Sequence, residues 1–157
     1  MATEIERKFL VKDLSFKTHA KGVLFRQGYL PGNPDVAVRV RIVEDKAYLA
    51  IKGSDTGVSR LEFEYEIPVK EAEEMLENLC SKPLIEKYRY RVEYKGFIWE
   101  IDEFLNENEG LVVAEIELEN EDQKFPVPDF VGEEVTYDFR YRNSYLASHP
   151  YKSWQKL

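Results

Sequence analysis

Residues 85–104 read IEKYRYRVEYKGFIWEIDEF, and the parity of this stretch decides the fold. Over 85–94, Lys87, Arg89 and Arg91 alternate with Tyr88, Tyr90 and Val92; over 97–104, Glu100 and Asp102 alternate with Trp99 and Ile101. A period of two sends successive side chains to opposite faces of a strand, so each stretch reads as a β-strand with one charged and one apolar face. Lys95-Gly96 between them has the chemistry of a tight hairpin turn. Folding on that turn lays a row of cations beside a row of carboxylates.

The same alternation recurs along the chain. In EIERKFLV, residues 4–11, Glu4, Glu6 and Lys8 share one face and Ile5, Arg7 and Phe9 the other. Arg39 and Arg41 oppose Val38, Val40 and Ile42; Arg60, Glu62, Glu64 and Glu66 oppose Leu61, Phe63, Tyr65 and Ile67; Glu115, Glu117 and Glu119 oppose Ala114, Ile116 and Leu118. With runs at 24–30 and 46–52, the pattern predicts eight strands: 3–11, 24–30, 36–43, 46–52, 59–67, 85–94, 97–104 and 111–119. Glu44-Asp45 is a predicted hairpin turn and 53–57 a loop. Ala72, Met75, Leu76 and Leu79 fall at helical spacing and predict a helix over 71–80; Phe139, Arg142, Asn143 and Leu146 predict another over 136–148.

The 157 residues are one domain's worth of chain, read as a single domain spanning 1–157. Net charge is −8, which disfavours sequence-independent nucleic-acid binding, so the tyrosines at 88, 90 and 94 are not read as a base-stacking platform. No apolar run approaches the roughly 20 residues of a spanning helix. Neither a membrane nor a nucleic acid is an expected partner, and the expected location is the cytoplasm. A lone cysteine, Cys80, forms no internal disulfide and no cysteine-based zinc site, and reads as a small buried hydrophobe. His19 and His149 read as surface residues, and Tyr29 as lining either a cavity or a packed rim.

Charge is sorted by strand more sharply than a solvated face requires, since like charges side by side repel. Two arrangements satisfy the pattern. The charged faces point to solvent on an open sheet, or the sheet closes into an eight-stranded antiparallel β-barrel whose lumen they line, with helices covering part of the apolar outside. A lumen so charged must hold water, ions or ligand. Its arginines and lysines suit phosphate oxygens, and its carboxylates suit a hard divalent cation such as Mg²⁺ or Mn²⁺.

The chain resembles the CYTH superfamily, the triphosphate tunnel metalloenzymes. Its E-x-E-x-K strand is Glu4-Ile5-Glu6-Arg7-Lys8. R-x-R follows at Arg39 and Arg41, a strand-closing lysine at Lys52, R-x-E-x-E at Arg60, Glu62 and Glu64, K-x-R at Lys87 and Arg89, E-x-D at Glu100 and Asp102, and E-x-E at Glu115 and Glu117. Residues 26–30, 132–136 and 140–143 look most like the short bacterial inorganic triphosphatases. Ala50 departs from the threonine many relatives carry two residues before the lysine.

The resemblance implies a mainly β closed tunnel and metal-dependent hydrolysis of linear triphosphates. Lys8, Arg39, Arg41, Lys52, Lys87 and Arg89 are then expected to clamp phosphate oxygens, with Arg60 and Arg140 completing the clamp. Glu4, Glu6, Glu115 and Glu117 are expected to coordinate Mg²⁺ or Mn²⁺, while Glu62, Glu64, Glu100 and Asp102 hold a second ion or orient the attacking water. Lys87 is read as a phosphate contact, with general base as its other possible role. The expected partner is a small-molecule triphosphate, with a homodimer one option for assembly. The competing functions are a class IV adenylate cyclase and a non-catalytic binder of polyphosphate or nucleotide.

Overall fold

The computed structural model describes residues 3–18, 20–54 and 58–154. His19, and residues 55–57 of the loop expected over 53–57, lie outside them. Nine strands form the sheet: β1 (Thr3–Val11), β2 (Val23–Leu30), β3 (Ala37–Val43), β4 (Lys46–Lys52), β5 (Ser59–Ile67), β6 (Ile85–Tyr94), β7 (Phe97–Phe104), β8 (Val112–Glu117) and β9 (Val131–Glu134). Their order is β5-β4-β3-β2-β6-β7-β8-β1-β9, every neighbouring pair is antiparallel, and β5 also pairs with β1. That last pairing, Thr3↔Leu61 to Ile5↔Ser59, closes eight strands into a barrel.

Turn chemistry sets the hairpins. Lys95 and Gly96 both take positive φ (49° and 87°), the two-residue turn that matches the twist of the flanking strands. The same edge of β1 that meets β5 at residues 3–5 meets β9 from Phe9 to Val11. β9 has no alternating pattern and is absent from the sequence expectation. What makes it a strand is the free edge that β5 leaves.

The sequence predicts one helix over 136–148, and the structure breaks it. Thr136 accepts from the Lys8 backbone N–H through Oγ1, and Val135 donates its N–H to the Lys8 carbonyl. The start of the segment is thereby committed to β1. A single 3₁₀ turn at Phe139–Tyr141 follows, and only Asn143–Ser148 (α2) is helical. α1 runs over Val69–Asn78 rather than 71–80, ending early enough that Leu79 stands 57% exposed while Ala72 and Leu76 are buried.

Three apolar clusters sit between the barrel wall and its covers. α1 packs Ala72 and Leu76 against Val40, Ile42 and Ala47; burying Leu76 contributes about 1.5–3 kcal/mol. α2 sets Leu146 and Ala147 on Ile85, Phe104 and Val113. The largest cluster joins Phe9, Trp99, Ile101 and Ile116 to Phe16, from a 3₁₀ turn at Ser15–Thr18, and Phe130, from the connection before β9. Helices therefore cover only part of the outside, as expected, and loops do the rest. Leu61, Phe63 and Tyr65 on β5 remain 53%, 43% and 58% exposed.

Candidate active site

With the apolar faces turned out, the charged faces converge on a cavity of about 500 Å³. All the sequence-predicted site residues line it except Asp102 and Arg140. Asp102 is buried behind the lining, where Oδ2 accepts from Lys87 Nζ at 2.7 Å and from Arg89 Nη2 at 2.9 Å, and Oδ1 accepts from Arg89 Nε at 2.7 Å. Arg140 is half exposed, held by Asp138 at 2.6 Å and stacked over Tyr141 and Trp154. Its neighbour two residues on, Arg142, lines the cavity in its place.

The cationic wall comes from β3 and β6, bridged by β2. Gln27 lies directly opposite Arg41 and Phe25 opposite Lys87. The Phe25 ring lies under Arg89 (4.7 Å), Arg41 (5.0 Å) and Lys87 (5.9 Å), with its negative face available to all three. Lys87 is fully buried, and burial brings its pKa down to about 7, with Arg89 and Arg41 adding to the effect and Asp102 opposing it. Burial also lowers Arg41, aided by Arg39 and Arg89. Burial works against ionised Asp102 as well, but Arg89 and Lys87 outweigh it and hold the carboxyl well below its ordinary range. Across the barrel, Arg39 donates to Glu64 (3.0 Å) and Glu62 (3.5 Å), and Lys52 to Glu4 (3.4 Å). Lys8 Nζ donates to the Tyr141 carbonyl at 3.0 Å, so the segment after β9 holds a tunnel cation in place. Two buried guanidinium nitrogens, Nε of Arg39 and of Arg60, have no acceptor among the described residues.

The acidic wall is of another kind, because carboxylates face carboxylates. Burial raises Glu4 to about 7, reinforced by its hydrogen bond to Glu62. Burial and the charges of Glu115 and Glu4 raise Glu6 well above the ordinary range. Their partners move the opposite way. Burial of Glu115 is outweighed by Lys8, by the Glu6 hydrogen bond and by Arg89, so that it falls to about 2; burial of Glu62 is outweighed by its bond to Glu4 and by Lys52 and Arg39. Within each pair, burial and mutual repulsion favour the proton on one carboxyl group and the ionised form on the other. Glu117 is raised by burial and by Glu4, Glu100 and Glu115.

Among the described residues, no three acidic or histidine side chains form a ready-made cage for an ion. The carboxylates of Glu4, Glu6, Glu115 and Glu117 nevertheless line one cavity and are hard oxygen donors of the type a hard cation takes. Ions of the Mg²⁺ kind take one or two carboxylates and complete their shell with water and substrate phosphate oxygens.

Residues 2–144 match the CYTH domain. The chain belongs to the CYTH family. It is 58% identical over 156 residues to the inorganic triphosphatase of Acetivibrio thermocellus, covering 99% of this chain and 100% of the relative. It is 39% identical over 150 residues to the inorganic triphosphatase of Nitrosomonas europaea, covering 92% and 97%. The crystal structure of the inorganic triphosphatase NE1496 superposes with a TM-score of 0.69 at 35% identity, covering 94% of this chain and 95% of that one. HpAC1 from Hippeastrum superposes at 0.60 with 18% identity over 74% of this chain and 80% of its own, a likeness of fold alone.

The CYTH barrel uses residues that the charge pattern did not single out. Thr136, Asp138, Arg142 and Asn143 reach the cavity from the segment after β9, and Phe25 supports the cations from β2. Phe25 was within reach of sequence reading, since Phe25, Gln27 and Tyr29 share a face by parity. The others sit on irregular backbone, where no periodicity reports direction.

Proposed function

We propose that this protein hydrolyses linear triphosphates, inorganic tripolyphosphate foremost, releasing orthophosphate with Mg²⁺ or Mn²⁺ bound at Glu4, Glu6, Glu115 and Glu117. One observation carries the reading: a 500 Å³ cavity sets buried cations against paired carboxylates, the complement of a polyanion arriving with a divalent cation. A pure anion binder gains nothing from carboxylates that disfavour one another's charge. The acceptor-less Nε groups of Arg39 and Arg60 are donors suited to phosphate oxygens. The relatives named inorganic triphosphatase match nearly end to end.

In this mechanism Lys8, Arg39, Arg41, Lys52, Arg60, Lys87 and Arg89 orient the chain of phosphates and stabilise charge that spreads over the transferring phosphoryl oxygens, the main source of catalysis in such reactions. A divalent cation held by Glu4, Glu6, Glu115 and Glu117 would supply Lewis-acid chemistry and offset phosphate charge. Glu62, Glu64 and Glu100 face the cavity and are available to orient the attacking water. Asp102 acts through Lys87 and Arg89, holding both. Lys87 serves as a phosphate contact: Nζ donates to Asp102 and Asn143, and in its ammonium form a third N–H remains for substrate. Arg140 is assigned to the outer rim. The setting we infer is the cytoplasm, consistent with one unpaired, buried Cys80; no helix among the described residues is long and apolar enough to cross a membrane.

The test is phosphate release from tripolyphosphate, ATP, thiamine triphosphate and pyrophosphate, each with Mg²⁺ or Mn²⁺. The highest kcat/KM is expected for tripolyphosphate, with no cyclic AMP from ATP. Tight tripolyphosphate binding without turnover would make the protein a binder, and cyclic AMP would make it a cyclase.

A further inference from the structure

Gln27 is fully buried beside the charged cavity, and each of its polar side-chain atoms is engaged. Oε1 accepts from Arg41 Nε at 2.8 Å. Nε2 donates to Asn143 Oδ1 at 3.2 Å and to the Tyr29 hydroxyl at 3.3 Å. Arg41 has no acceptor to offer, so the Gln27 amide can sit only one way round. That orientation passes to Asn143, whose Oδ1 accepts from Gln27 and also from Lys87 Nζ at 2.8 Å. Turning the Asn143 amide over would set its N–H groups against an ammonium and another N–H.

Asn143 is the first residue of α2 and lines the cavity. With both acceptor directions of Oδ1 used, its Nδ2 is left over, and no described residue accepts from it. We propose that Asn143 is a substrate-binding residue whose side-chain N–H group donates to a phosphate oxygen, and that Gln27 is the residue that positions it. The inference rests on the triphosphatase reading and extends it to a neutral member of the phosphate clamp. Its neutrality has a purpose. Asp102 cancels part of the charge of Lys87 and Arg89, whereas the Asn143 amide holds Lys87 without cancelling any, so the cavity keeps its attraction for a polyanion.

Two substitutions separate this role from a structural one. Asn143→Asp keeps an acceptor for Lys87 and Gln27 but turns a carboxylate oxygen, in place of a donor, toward the substrate. Asn143→Ala loses the donor and the acceptor but adds no repulsion. If Asn143 binds substrate, KM for tripolyphosphate rises roughly tenfold in Asn143→Ala and ~100-fold in Asn143→Asp. If it merely holds Lys87, the order reverses, with Asn143→Asp near wild type and Asn143→Ala worst; that order overturns the proposal. KM does not depend on the folded fraction, so partial misfolding lowers only kcat. Gln27→Glu still accepts from Arg41 but cannot donate to Asn143, and KM is expected to rise by a smaller factor, about fivefold. An unchanged KM there removes the positioning role. Should the wild-type protein release no phosphate, the functional reading fails by itself; calorimetric Kd values for tripolyphosphate, ranked across the same variants, then decide the donor separately.

Discussion

The β6–β7 wall and the β1–β8 wall face the same cavity and are held in opposite ways. On the first, the cations are held by fixed partners that are not cations. Lys87 and Arg89 share Asp102, Arg41 rests on Gln27, and the Phe25 ring lies beneath all three. On the second, Glu6 lies opposite Glu117 and its side chain interacts diagonally with Glu115, while Glu4 interacts with Glu62 across the closing seam, and proton affinity is raised on Glu6 and Glu4. The cationic wall is therefore organised before substrate arrives, which is what lets fixed charges stabilise a transition state without reorganising. The acidic wall instead brings together carboxylates that disfavour one another's charge, a repulsion that a divalent cation would relieve.

The largest expected effect is on the organised wall. Lys87→Ala should lower kcat/KM for tripolyphosphate by about 10²–10³-fold, read by phosphate release. Lys87→Arg with full turnover and an unshifted pH profile would exclude a general-base role for this residue. Next is Asp102→Asn, which leaves two buried cations without their anion and should cost about 3–5 kcal/mol of stability, seen as a lower urea midpoint.

The acidic wall should respond with opposite signs at its two members. Without divalent metal, Glu6→Gln should raise the Tm, because it removes a carboxylate that burial and Glu115 disfavour. Glu115→Gln should lower it, because that carboxylate is held by Lys8 and Arg89. Both should lose turnover. Equal shifts of the same sign would mean that these two carboxylates are not held differently.

The pH dependence follows the same division. Glu4, raised from 4.5 to about 7, contributes stability that is fully present below about pH 4.5 and lost as pH rises through 7. Glu115, lowered from 4.5 to about 2, contributes stability that is present above 4.5 and lost as pH falls toward 2. The metal-free protein should therefore lose a few degrees of Tm, roughly 2–5 °C, between pH 5 and 7.5, and Mg²⁺ should remove that slope. The smallest effect belongs to Arg91, on the same face of β6 as Lys87 but 65% exposed and paired only with Glu100. Arg91→Ala should change kcat/KM less than about twofold and stability by under ~0.5 kcal/mol.

How much of this was legible depended on periodicity. Strict alternation in β1, β3, β5, β6, β7 and β8 placed each charged side chain on its face before any contact was known. Where the period of two broke down, so did the reading. β9 is Val-Gly-Glu-Glu with no alternation, and the helical spacing of Phe139, Arg142, Asn143 and Leu146 lost to hydrogen bonds from β1 that tie down Val135 and Thr136. Parity also could not separate Asp102 from Glu100. Both face inward, yet Asp102 is drawn behind the lining by Lys87 and Arg89, while Glu100 stays at the cavity.

The sequence by itself determined that a charged face and an apolar face run along nearly every strand, because side-chain direction in a strand is a local consequence of backbone geometry. Only the tertiary structure decided which charged face meets which. That depends on the β1–β5 closure and on strand register, both set between residues far apart in the chain. The pairing of Glu6 with Glu115, the burial of Lys87 and the amide link from Gln27 to Asn143 exist only once the ring is shut, since each is an interaction across strands that no local pattern encodes.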